Sequence, residues 1–152
     1  MNLKNPSDIP DGLLVAVEPI EGGALVWTST VIAITALLLL IAAYAGARGK
    51  LRPNAFFGIR THLTSGDDEA WYEVHRKAAP WLALSGVAMA VGGSSLFLVE
   101  EGRTQLVVLL AALAVCVTTV ITGGLLSSWS VRDERARSER ASGSDSSPEK
   151  GG

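Results

Sequence analysis

Three long runs without a charged residue divide the chain: Ala24 to Ala45, Ala78 to Val99 and Gln105 to Val131. Each reaches the roughly 20 residues with which a helix, rising about 1.5 Å per residue, crosses about 30 Å of hydrocarbon. The pattern predicts an all-α integral membrane protein with three transmembrane helices, over residues 24–46, 79–99 and 105–128. An extracytoplasmic segment, 1–23, precedes the first. A turn of five residues, 100–104, joins the last two, which must therefore be antiparallel neighbours.

The polar stretch between the first two spans, residues 47–78, predicts a loop and a short helix. Pro53 and Asn54 form a turn, Phe56 and Phe57 dip toward the membrane boundary, and Gly58 supplies backbone freedom. A helix over about 65–78 follows, capped by Thr64 or Ser65, with Asp67, Asp68 and Glu69 at the end where the helix dipole favours negative charge. Ala70, Trp71, Val74, Ala78 and Trp81 recur at helical spacing, which predicts an amphipathic helix lying along the inner interface. Pro80 then marks the bend into the second span. That span carries Gly86, Ala90, Gly92 and Gly93, and the third carries Ala112, Thr119, Gly123 and Gly124. Small residues let helices approach closely, within one chain or between copies. Residues 129–152 begin with alternating charges, with Asp133 and Arg137, and Arg135 and Glu139, at helical pair spacing. This reads as a solvated extension of the third helix, followed by a tail that its composition makes disordered.

Charge changes the picture by its placement. The net charge of −2 is uninformative, but eleven of the thirteen Lys and Arg residues fall in the central loop and the C-terminal segment. Only Lys4 and Arg103 lie elsewhere. Basic residues near span ends are retained in the cytoplasm, so the N-terminus is expected outside, and the loop and C-terminus inside, a multi-pass cell-membrane protein. The single cysteine, Cys116, excludes an intramolecular disulfide and a cysteine metal cluster. Leu13 to Val17 is too short for the core of a signal peptide.

No catalytic motif is present: there is no phosphate-binding glycine loop, no metal-spaced histidine pair and no nucleophile elbow. His62 and His75 could form a zinc site only with Asp67, Asp68, Glu69 or Glu73, and helix capping accounts for the first three acids more simply. Neither a cofactor nor a metal is expected. Arg60 has two readings, contact with lipid phosphates or bidentate pairing with Glu69 or Glu73. Trp71 and His75 stand four residues apart on one helix face, so their rings can touch. They form either an interfacial aromatic pair or, with Arg60 and Arg76, a recognition surface. His75 could also make a pH-sensitive contact.

Asn54, the run Phe57-Gly58-Ile59-Arg60-Thr61, then Thr64, Trp71 and His75-Arg76 resemble the signature of the SdpI family. These are bacterial multi-pass membrane proteins named for immunity to a sporulation-delaying peptide toxin. The resemblance covers roughly Leu25 to Trp129. His62 stands where the family often has proline, and the founding member's additional N-terminal membrane region is not expected here. The resemblance implies toxin immunity coupled to membrane docking of a cytosolic repressor. The leading expectation is a non-enzymatic membrane protein that recognises a partner at the inner surface. Arg60, His75 and Arg76 would make polar contacts, Trp71 would anchor the helix, and Asn54 and Gly58 would shape the loop. The partners expected are membrane lipids, a peptide toxin or a cytosolic repressor, and further copies of the chain, with no nucleic acid. The alternative is a small oligomeric transporter or lipid-handling subunit using the glycine- and serine-rich second span. It is disfavoured by the lack of ionisable groups in any span. A membrane enzyme using His75 as acid or base ranks last.

Overall fold

The computed structural model of the chain describes residues 17–53, 58–59 and 66–145. Among them are three helices and no strand: α1 (Gly22–Ala47), α2 (Asp68–Ser95) and α3 (Gly102–Asp145). α1 and α3 are long and apolar enough to cross a membrane. Their most apolar windows are only 11% and 6% buried, whereas a core helix of a water-soluble domain would be largely covered. Val26, Val31, Ile34, Leu110, Leu113 and Ile121 are among the apolar side chains left exposed.

The helix that is not by itself apolar enough to cross a membrane lies in the middle. α2 packs against both α1 and α3, which make no close backbone approach to each other. Both contacts are antiparallel. Along α1, Gly46 meets His75, Ala36 and Leu40 meet Gly86, and Ile32 meets Gly93. Along α3, Ala112 meets Gly92, Thr119 bonds Ser85, and Gly123 meets Trp81. A β-carbon at Gly86 would come within 2.8 Å of Leu40, and one at Gly93 within 2.7 Å of Ile32. The small residues of α2 therefore serve helix contact inside the chain. Ser85 and Thr119 add a hydroxyl bond of 2.6 Å between α2 and α3, while Thr119 also returns a bond to its own helix.

Three expectations are corrected. The separate interfacial helix over about 65–78 does not form, because α2 runs unbroken through Pro80. Proline at that position removes only the bond that its own N–H would have made to Arg76, and the neighbouring turns keep theirs. The apolar stripe of Ala70, Trp71, Val74 and Ala78 is 0–2% exposed, so it faces the rest of the chain and not a lipid interface. The helix begins at Asp68 rather than near Thr64 or Ser65, and its cap is Asp67, whose carboxylate accepts from the Glu69 N–H at 2.8 Å and the Ala70 N–H at 3.2 Å.

The third correction concerns the charged extension of α3, which continues as helix to Asp145, beyond the residues read as its end. It is not simply solvated. Lys77 donates to Glu134 at 2.6 Å and to Ser130 at 2.9 Å, and Arg135 pairs with Asp67 and stands 3.7 Å from Glu73. The first turns of α2 and this extension thus run side by side as a two-helix projection.

At the other end of the bundle, Gln105 is 2% exposed. Its carbonyl oxygen accepts from the Ile20 N–H at 2.7 Å, and its amide donates to the Val99 carbonyl at 2.8 Å. One side chain thereby fastens the segment before α1 to the α2–α3 turn.

Candidate functional site

The site is built on the second turn of α2. Residues four apart on a helix share a face, and the rings of Trp71 and His75 stack with centroids 4.2 Å apart and planes inclined by 28°. Both are interior, 2% and 1% exposed. Buried polar atoms need partners, and here the main chain supplies all of them. The Trp71 indole N–H donates to the Leu51 carbonyl at 2.8 Å. The Ile59 N–H donates to His75 Nε2 at 2.9 Å. With Nε2 accepting, the ring proton is assigned to Nδ1, which lies 2.8 Å from the Trp71 carbonyl and donates to it. The two rings therefore clasp the chain on both sides of the loop tip.

Gly58 completes the clasp. Its φ of +115° lies where side chains are strained, and a β-carbon there would sit 2.5 Å from His75 Nε2 and 2.6 Å from the Trp71 ring. Two independent constraints thus require glycine. Ile59 then turns toward α3, near Gly124.

This geometry fixes the protonation state of His75. Burial pushes its pKa below the ordinary value, opposed by the bond to the Trp71 carbonyl. A protonated ring would also turn Nε2 into a donor facing the Ile59 donor. His75 is thus a neutral structural ring with both nitrogens engaged, and it has no lone pair left for acid–base work. Asp67 is held well below the usual carboxylate range by Arg135 and then by the Ala70 N–H. Lys77 does the same for Glu134.

Of the residues expected at the site, the structure brings Gly58, Ile59, Trp71 and His75 together, as an interior clasp instead of an exposed recognition face. Arg76 is exposed, with its guanidinium beside Gly49. Asn54, Phe57, Arg60, Thr61 and Thr64, with His62, lie outside the described residues. Glu73, one acid considered for Arg60, is near Arg135. Sequence reasoning missed Leu51 and Arg135. Leu51 acts through its backbone carbonyl, which no residue pattern reveals. Arg135 carried a visible charge, but its partner is 68 residues away.

The model of the SdpI/YfhL protein family matches residues 50–122, which cover the loop, α2 and the first half of α3. α1 lies outside the match, which begins at residue 50 and not near Leu25, where the resemblance in the sequence starts. No curated protein and no solved structure matches the chain. The clasp of Gly58, Ile59, Trp71 and His75 falls wholly within the matched segment, and it is this segment of the chain that is similar to the SdpI/YfhL protein family.

Proposed function

We propose that this chain is a non-enzymatic, SdpI-like membrane protein that protects against a membrane-active peptide by recognising a partner at the inner membrane surface. The observation that carries the reading is the coincidence of the family match with the clasp. The matched residues that can be placed serve to hold one loop on the first turns of α2, beside the projecting end of α3. Arg60 follows the pinned Ile59 in the sequence, and Arg76 is exposed one residue beyond His75. These two are the polar contacts of the proposed surface. Against an enzyme, both nitrogens of His75 are engaged by main chain.

In this reading the chain has three spans, with the N-terminus outside and the loop and C-terminus inside. The support is register: Ile32, Gly93, Gly92 and Ala112 share one level, and Leu40, Gly86 and Ser85 with Thr119 share another. If α1 and α3 cross the bilayer, α2 between them must cross with them. The transporter reading is weakened, because Gly86, Gly92 and Gly93 of α2 fill close helix contacts.

The test is survival of cells exposed to a membrane-active peptide toxin, with in-cell crosslinking, for wild type against Arg60→Ala and Arg76→Ala at equal membrane abundance. Loss of protection together with loss of a crosslinked cytosolic partner is expected. Unchanged protection and unchanged crosslinks in both variants would remove the reading.

A further inference from the structure

Because α1 and α3 do not meet, a cleft of about 440 Å³ lies between them, floored by α2 and closed at one end by the clasped loop. Its α1 wall runs from Leu38 to Ala45, about two helical turns or ~11 Å, and Leu38 and Ile41 on that wall are both 53% exposed. The cleft is therefore open along its side, between the two helices apolar enough to cross a membrane. His75 is the one polar side chain among the described lining residues, and its nitrogens are already engaged by Trp71 and Ile59. Among the described lining residues no side chain is left to solvate a polar ligand, so the occupant that fits is a hydrocarbon chain.

The end of the cleft is different. Ala45 and Leu51 line it, and between them the chain turns at Gly49, with φ +60°, while the Lys50 N–H bonds back to the Ala45 carbonyl at 2.8 Å. This turn gathers Arg48 and Lys50, both exposed, at the mouth beside Leu51. Among the described residues neither has a carboxylate partner, whereas Lys77 and Arg135 on the projection are both paired. Arg48 lies over the face of Tyr44, 5.2 Å from the ring centre. Arg48 also borders a groove that carries Asp68, Glu69, Glu73 and Arg76, so Lys50 is the stronger of the two cations toward an added anion.

We propose that the cleft between α1 and α3 holds an acyl chain of one anionic phospholipid, whose headgroup phosphate rests on Lys50 and Arg48. The occupant follows from the two halves of the site: an apolar slot opening sideways and, at its end, the cations Arg48 and Lys50, which have no carboxylate partner among the described residues. Each cation near a membrane surface adds attraction for anionic lipid, and the slot converts that attraction into a retained molecule. The proposal rests on the membrane reading but not on toxin protection.

The full chain, extracted in mild detergent, is exchanged into micelles doped with equal phosphatidylglycerol and phosphatidylcholine of matched acyl chains. Bound lipid is then counted by native mass spectrometry. The expected result is one retained phosphatidylglycerol per chain, favoured about tenfold over phosphatidylcholine. Lys50→Gln with Arg48→Gln should abolish the headgroup preference. Ala42→Phe, which fills the slot, should abolish retention of either lipid. Arg137→Gln, a charge removed far along α3, should change neither, and it guards against a general loss of folding. Equal retention of the two lipids by wild type overturns the proposal, as does a preference that survives Ala42→Phe. Displacement of no lipid but uptake of an apolar helical peptide assigns the cleft to a peptide and also overturns it. Recovery of the chain in the soluble fraction is the separate result that defeats the membrane reading itself.

Discussion

The two ends of the bundle are fastened by the same device with different chemistry. At one end Gln105 accepts the Ile20 N–H and donates to the Val99 carbonyl. At the other His75 accepts the Ile59 N–H and donates to the Trp71 carbonyl. Each is a buried side chain near the start of a helix, and each satisfies the main chain of a segment that crosses over it. An amide offers a donor and an acceptor at every pH, whereas an imidazole offers both only while neutral. The Gln105 end is therefore a permanent fastening and the His75 end a conditional one. The loop that carries the family's residues is on the conditional end.

The largest effect separating the two ends should come from Gly58→Ala. The strained φ and the approach to both rings together should cost about 3 kcal/mol. In denaturant titrations in micelles, protection of the Ile59 amide against hydrogen exchange should fall sharply while that of Ile20 persists. Equal loss at both amides would mean that the ends unfold as one unit.

Removing the fastener itself should come next. His75→Ala strands the Ile59 N–H and opens a gap beside Trp71, at about 2–3 kcal/mol. Gln105→Leu keeps the volume and strands the Ile20 N–H and the Val99 carbonyl, at about 1–3 kcal/mol. Finding Gln105→Leu the costlier of the two would reverse the comparison.

Acid should then distinguish them without mutation. The folded chain holds the His75 pKa below the ordinary value, so below pH of about 6.5 the unfolded chain takes up a proton that the clasp refuses. Stability from this residue is complete above that pH and is lost as the pH falls toward the lowered folded value. Amide exchange at Ile59 should quicken between pH 7 and 5 while exchange at Ile20, corrected for intrinsic rate, stays constant. His75→Gln should flatten the Ile59 profile.

The smallest effect should be at the projection. Arg135→Gln removes partners from Asp67 and Glu73, but these are exposed pairs, and solvent screening keeps the contribution of such pairs small. Half-molar salt should reproduce most of the loss, read as earlier fraying of the α3 extension by exchange. The Asp67 pKa is depressed by Arg135, so this contribution is present above the ordinary carboxylate range and disappears as the pH falls through the depressed value. It therefore fades at lower pH than the His75 effect. A salt-insensitive extension would show that the ion pairs do not hold it.

The apolar runs alone determine an all-helical chain and where α1 and α3 lie, because transfer of about 20 uncharged residues into hydrocarbon is a local, additive property. The family residues around Gly58, Trp71 and His75 are likewise legible, since side-chain identity is what such a pattern records. What only the tertiary structure decided is which surfaces those residues face. The stripe from Ala70 to Ala78 is as consistent with a lipid interface as with a protein interior, and the contact of α2 with α1, α3 and the loop chose the interior. Pro80 is a breaker by propensity, but one missing bond cannot outweigh a helix packed along both sides. The partners of Arg135 and the carbonyl of Leu51 were invisible because main-chain acceptors leave no mark in a sequence, and a charge does not record which distant turn will be folded against it.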